Sequence, residues 1–177
     1  IAFNASGQVN FYTDSNTTSY MYQWLNEDFY DTLYNAENII DTSKQWNATN
    51  INESAINTKL SETTMITSNV GLLNSYEYYN SYRCIGKSSC TGTSYSTGYL
   101  NKAYIWWLLN PYSSSAIWTA DMSGVGNKVR APSTSQGVSP SIYLKSGLEF
   151  VGSGTKQSPY KIVGDKEAGN TNELINT

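Results

Sequence analysis

The sequence predicts an α+β fold, with helices first and short antiparallel strands later. Three observations carry this. Apolar residues recur every four positions at Met21, Leu25, Phe29 and Leu33, the spacing of one helical face. Further on, short runs of aromatic and β-branched residues alternate with clusters of Gly, Ser, Asn and Pro, the pattern of strands and turns. The chain has 177 residues, so one domain with a small appendage is expected. A chain of that size buries roughly 70% of its unfolded surface, enough for a core without metal staples.

Each element follows in order. Residues 1–18 read as an extended lead-in, with Val9 and Phe11 alternating loosely with polar neighbours. One or two helical segments are expected across 19–40, capped by Thr18 or Ser19 and broken near Asn26. Residues 47–68 are polar and β-branched with little periodicity, which predicts a long surface excursion. A short strand at 70–73 and a helical turn or two at 75–82 come next, then a loop over 84–97. Strands are expected at 105–109, 116–120, 128–130 and 141–145. Residues 148–151 and 160–163 read as a hairpin closed by the intervening Gly, Ser and Pro residues. The polar end, 164–177, is expected to fray. The organisation is therefore a lead-in (1–18), a main domain (19–146), a hairpin (147–163) and a tail (164–177).

Composition excludes several function classes. Charged residues are 14% of the chain and the net charge is −3, so nothing argues for a nucleic-acid or anionic-membrane partner. No apolar run approaches the length that spans a bilayer, and Ile1 opens no signal-peptide pattern. The first residues, Ile1-Ala2-Phe3, lead us to expect that an N-terminal segment has been removed or lies outside this sequence. Histidine is absent, which removes Ser-His-Asp and Cys-His nucleophile systems and His-ligated metals.

The two cysteines stand in RCIGKSSC, at Cys84 and Cys90. Their spacing is not the two-residue gap of zinc or thioredoxin-type sites. A local disulfide worth roughly 2 kcal/mol is the economical reading, and it points to an oxidising, extracytoplasmic location. Two free thiols in a cytosolic protein are the alternative. Asn4, Asn16, Asn47 and Asn52 begin Asn-x-Ser/Thr sequons, which matter only in a glycosylating host.

The most informative stretch is 105–144, IWWLLNPYSSSAIWTADMSGVGNKVRAPSTSQGVSPSIYL. Apolar ends enclose a polar middle, the way a rigid frame presents a binding loop. Trp106 and Trp107 must point to opposite faces of a strand. One then belongs to the core, and the other packs beneath a loop or lies exposed; burial of both is the plainer outcome. Trp118 shares a strand face with the small Ala116 and Ala120, which leaves room for either a ligand or packing above its ring. On the ligand reading, Trp118→Ala abolishes capture with little change in melting temperature.

YQWLNEDFY, NVGLLNSYEYYNSYRC, YLNKAYIWWLLNPYS and GVSPSIYLKSG, in this order and spacing, resemble a bacterial C-type-lectin-like domain. The hallmark of that family is a WW-L-x-P run, a variable polar stretch and a GVRP-type lead into a strand. The resemblance covers 19–146, and the terminal GSGTKQSPYKI also fits such proteins. They occur on the surface of low-GC Gram-positive gut bacteria, some on type IV pilin-like stalks, and related members are variable proteins of diversity-generating retroelements. The resemblance implies that 110–136 builds the exposed face of a small sheet. Tyr112, Ser113, Ser114, Ser115, Trp118, Thr119, Asp121, Asn127, Lys128 and Arg130 are then the candidate ligand-binding residues. This Tyr/Ser/Asn mix is the one antibody loops favour, combining contact area with adaptable hydrogen bonds. Retroelement mutation of Asn codons yields Tyr, Ser, Gly, Asp, Thr, Ala, Ile or Val, and those residues crowd 113–135 in a chain rich in them throughout.

The sequence departs from the family pattern twice. Ser139 stands where Arg is usual, leaving Arg83 or Arg130 as substitutes or a looser loop. The calcium signature of animal lectins is also missing: Asn110-Pro111-Tyr112 lacks its first carboxylate, and Trp118-Thr119-Ala120-Asp121 offers one. Calcium takes six or more oxygens with several carboxylates, so neither a metal nor another cofactor is expected.

Enzymatic readings fare worse. Glu27, Asp28 and Asp31 share a helix and read as a solvated face. Glu77 with Asp121 or Glu149 could be proposed as a glycosidase pair, but nothing in their spacing requires it. The fold's formylglycine-generating relatives rely on a cysteine pair and metal, whereas these cysteines fit a local disulfide. The expectation is a non-enzymatic, extracellular module at the bacterial cell surface that binds protein or glycan through 112–136. The alternative is a structural, pilin-like filament subunit whose loops pack against neighbouring subunits.

Overall fold

In the computed structural model, residues 1–4, 7–12, 19–52, 59–81, 100, 104–120, 127–155 and 157–163 are described. The architecture is α+β: short helical segments at 20–39 and again at 75–81, with small antiparallel sheets between and after them. Helix α1 (Tyr20–Gln23) starts where expected, because the Ser19 hydroxyl accepts the Tyr22 N–H at 3.0 Å. The helical path then widens into a π segment (Trp24–Phe29) and closes in a 3₁₀ turn (Tyr30–Thr32).

The expected break near Asn26 takes the form of this widening, and the chain does not leave the helix there. Asn26 Nδ2 donates to the Tyr22 and Val70 carbonyls, and its Oδ1 accepts the Val70 N–H and the Ser68 hydroxyl. One side chain thus stands in for a strand partner of Val70, at a position where π geometry is commonly found serving a special contact. The true interruption comes later. Leu33 is extended and Asn35 adopts a left-handed conformation before α2 (Ala36–Ile39).

The 47–68 segment corrects the sequence expectation. Its ends form a hairpin-like pair, β1 (Gln45–Asn47) with β2 (Met65–Thr67), and Trp46, Ala48, Thr49, Ile51, Leu60, Ile66 and Ser68 are buried. A polar, β-branched stretch hid a buried face because its core residues come at irregular intervals. Strand β3 (Gly71–Leu72) and helix α3 (Ser75–Ser81) follow as read. Gly71 is required by packing: a Cβ there would lie 2.5 Å from Trp46 Cδ2. Helix α3 begins with a capping box, in which Asn74 Oδ1 accepts the Glu77 N–H and Glu77 Oε2 accepts the Asn74 N–H.

The centre is a three-stranded meander, β4 (Trp106–Ser113), β5 (Ala116–Ala120) and β6 (Asn127–Arg130). Strand β4 is buried on both faces. Trp107 and Leu109 join a core with Phe3, Phe11, Met21, Leu25 and Trp46, while Trp106 and Leu108 join a second core with Ile51, Leu60, Tyr78 and Trp118. Both tryptophans are therefore buried, on opposite faces. The lead-in belongs to the first core through Phe3, Val9 and Phe11. Strand β4 runs past the apolar stop at Asn110-Pro111, because buried Asn110 is fully bonded: its Nδ2 donates to the Asn47 and Thr49 carbonyls, and its Oδ1 accepts the Ser75 N–H. Pro111 sits at a register shift, where a missing donor is tolerated.

Strand β7 (Pro140–Ser141) pairs with β3, and residues 143–145 run against 39–41 through Asp41 N–Tyr143 O and Lys145 N–Ile39 O bonds. Strands β8 (Glu149–Val151) and β9 (Lys161–Val163) form the expected terminal hairpin. Leu148 and Ile162 pack it on Ala36, Ile39 and Ile40.

Candidate functional site

The β4–β5 hairpin is the frame for the expected binding surface. Its tip is Ser114-Ser115, both exposed, and the Ser113 hydroxyl accepts the Ser115 N–H at 3.2 Å to hold the turn. Tyr112 and Ser113 are half-buried at its base. Arg130 ends β6 at the same end of the sheet, since its backbone partner is Ile117, one residue from the turn. Its guanidinium donates to the Val129 carbonyl at 2.9 Å. Tyr112, Ser113, Ser114, Ser115 and Arg130 are thus gathered at one end.

The remaining candidates are not gathered with them. Asn127 and Lys128 pair through their backbones with Ala120 and Thr119, roughly 7–10 Å further along the sheet at about 3.3 Å per residue. Asp121 lies outside the described residues, as do Cys84 and Cys90, so the disulfide expectation falls there too.

Two candidates are corrected. Trp118 is 3% exposed, its Nε1 donates to the Ile51 carbonyl at 2.9 Å, and the Tyr112 ring meets it edge-on at 5.1 Å. The ring is covered by Ile51 and its neighbours from the 47–68 segment, so it offers no open platform. Thr119 is wholly buried on the same strand. The strand alternation was read correctly, but the covering layer came from a distant part of the chain.

The motif leading into the last strand has a clear local reason. A Cβ at Gly137 would run into the Tyr104 ring and approach the Ile105 carbonyl at 3.0 Å. The backbone needs that closeness, because Gly137 N donates to Ile105 O while Trp107 N donates to Gly137 O. Arg130 bonds its own neighbour's carbonyl, while Ser139 receives the Ser141 hydroxyl on its carbonyl. Arg83 lies outside the described residues.

Glu77, weighed above as a catalytic carboxylate, is committed to structure. Its two oxygens face the Asn74 N–H and the Tyr143 hydroxyl, and Tyr143 in turn packs against Trp46 with ring centroids 4.5 Å apart. Burial pushes the Glu77 carboxyl above its ordinary range, outweighing the two hydrogen bonds that act the other way. Among the described residues no group of three or more Cys, Asp or Glu is placed to hold a metal ion.

A second concavity was not legible in the sequence. A groove of about 370 Å³ lies between the 29–40 helical wall, residues 140–144 and the terminal hairpin, lined by apolar side chains including Phe29, Leu33, Ile142, Leu144 and Phe150. The available signal was the alternation of Tyr160 and Ile162 with Lys161, which gives the hairpin one apolar face toward α2. Periodicity alone did not say that this face would stay half open.

Comparison with protein families matches residues 3–146 to DUF6273, a domain of unknown function. No curated protein and no solved structure matches the chain. The matched segment takes in the lead-in with Phe3, Val9 and Phe11, and it stops short of the β8–β9 hairpin. By that match over most of its length, the chain belongs to the DUF6273 family.

Proposed function

We propose that this domain is an extracellular ligand-recognition module of C-type-lectin-like fold, which binds protein or glycan without catalysis or a cofactor. The observation that supports it best is the β4–β5 tip. Ser114 and Ser115 face solvent, flanked by Tyr112, Ser113 and Arg130, at the end of a ladder locked on one face by buried Trp106 and Trp118 and on the other by buried Trp107. A rigid frame beneath short hydroxyl and aromatic side chains is suited to recognition by shape and adaptable hydrogen bonds. Trp118 and Thr119 drop out of the contact set and act as supports. Retroelement diversification would change the tip and leave these supports fixed.

The test is capture on panels of glycans and surface proteins, comparing the native domain with Ser114→Arg and Ser115→Arg, both at exposed tip positions. Loss of capture in both, with unchanged melting temperature, supports the reading; capture that both variants retain refutes this site. The surface location rests on the cysteine pair, and titration of two free thiols in the native protein would remove that support. The structural-subunit reading gains support from a different observation, the half-open apolar groove at the terminal hairpin.

A further inference from the structure

We propose that Tyr12 and Tyr22 are a cross-linking site, at which one-electron oxidation joins the two rings by a carbon–carbon bond and fastens the lead-in covalently to α1. Their ring centroids lie 4.8 Å apart with the planes at 34°, so the nearest ring carbons stand at van der Waals distance. Burial first, then the neighbouring Tyr12 phenol and Glu27, push the Tyr22 phenol above its ordinary range. The two hydroxyl ends therefore lie near each other, and the ring carbons that couple are those beside the hydroxyl. Both rings are half-buried, so each rests on the first core and keeps an edge open to solvent.

One residue holds both partners in place. The Ser19 hydroxyl donates to the Phe11 carbonyl at 2.8 Å and accepts the Tyr22 N–H at 3.0 Å, and the Ser19 N–H reaches the same Phe11 carbonyl at 3.2 Å. Phe11, next to Tyr12, is buried and meets the Tyr22 ring edge-on at 5.3 Å. A pair held in contact through its backbone reacts as a unimolecular couple, without the cost of bringing two rings together. The atoms balance with hydrogen peroxide as the oxidant, used by a peroxidase. Each ring gives up one electron and its phenolic proton, and the peroxide takes up both electrons and both protons to become two waters. The two radicals pair through carbons beside their hydroxyls. The hydrogen on each of those carbons then moves to the oxygen, which restores two phenols. The lead-in, residues 1–18, contains no cysteine, so a disulfide cannot fasten it while a tyrosine bond can. The site uses none of the β4–β5 tip residues, and its failure would leave the recognition reading standing.

Oxidation of the purified whole chain at micromolar concentration by a peroxidase and hydrogen peroxide tests this, with N-acetyltyrosine in a parallel reaction to show that the oxidant is active. Asp14 stands between the two tyrosines, so protease cleavage on its N-terminal side separates them unless they are joined. The expected product is a monomer with dityrosine fluorescence. Its 1–13 and 14–27 pieces stay together after cleavage before Asp14 and Asp28, and the joined pair is lighter by two hydrogen atoms than its parts. Tyr12→Phe and Tyr22→Phe keep the ring packing but lack the phenol, and each should abolish the joined product. Pieces that separate in the oxidised native monomer overturn the proposal, and so does a joined product that either variant retains.

Discussion

Trp118→Ala is the sharpest perturbation of the central sheet. The indole lies between Tyr112 and the buried Ile51–Leu60–Tyr78–Trp106–Leu108 group, and its N–H is the donor to the Ile51 carbonyl. Truncating a buried aromatic to alanine costs roughly 3–5 kcal/mol, because a cavity replaces the ring and the surroundings relax only in part. For a domain of this length each kcal/mol moves the melting temperature by roughly 2–4 °C, so a drop of about 6–20 °C is expected. Trp118→Phe should cost less. It retains most of the apolar volume but leaves the Ile51 carbonyl without its donor, a penalty of about 1–3 kcal/mol. Calorimetry, with urea unfolding to confirm a single transition, reads both values. An alanine variant melting within about 2 °C of the native protein would show that the ring carries no core load, and the assignment of Trp118 as a support would be wrong.

Three further outcomes follow from the same geometry. Gly71→Ala drives a methyl into the Trp46 ring, which is buried and tied through Nε1 to the Ser68 carbonyl, so a loss of about 1–3 kcal/mol is expected in thermal unfolding, with partial recovery in a Trp46→Leu background. Asn26→Ala removes four hydrogen bonds and strands the Val70 backbone; a loss of about 2–3 kcal/mol should appear, and Asn26→Asp should not rescue it, because a carboxylate cannot donate to the Val70 carbonyl. Glu77 has a carboxyl pushed upward by burial, so the folded state holds its proton more tightly than the unfolded chain, whose value is about 4.3. That contribution is full below the unfolded value and is lost as pH rises through the raised folded one. Glu77→Gln should flatten this slope in a pH series of melting temperatures, and an unchanged slope would count against the assignment.

How much of this was legible in advance varies by element. The Ser19 cap, the strands at β4, β5 and β6 and the terminal hairpin could all be read, because capping hydroxyls, β-branched and aromatic runs and Gly/Ser/Pro turns act within a few residues of themselves. The opposite facing of Trp106 and Trp107 followed from strand geometry alone. The exposed half of the candidate site, Ser114-Ser115 at a turn, was local in the same way. Its other half was not. Whether Trp118 meets a ligand or a core depended on Ile51, sixty-seven residues away in sequence, and no period marks that contact. The 47–68 stretch looked like solvent-facing chain because Asn47, Thr49 and Ser61 are polar, yet they bond one another and Asn110 while Ala48, Ile51 and Ile66 turn inward.

By itself, then, the sequence determined the α+β order, the absence of histidine chemistry and the positions where the chain must turn, since these depend on residue type and short-range sterics. Only the tertiary structure decided which aromatic faces are covered, that Asn26 and Asn110 are the polar hubs joining distant segments, and that the hairpin leaves an apolar groove against α2. Burial is a property of what arrives from elsewhere in the chain, and that is set by the packing of the whole.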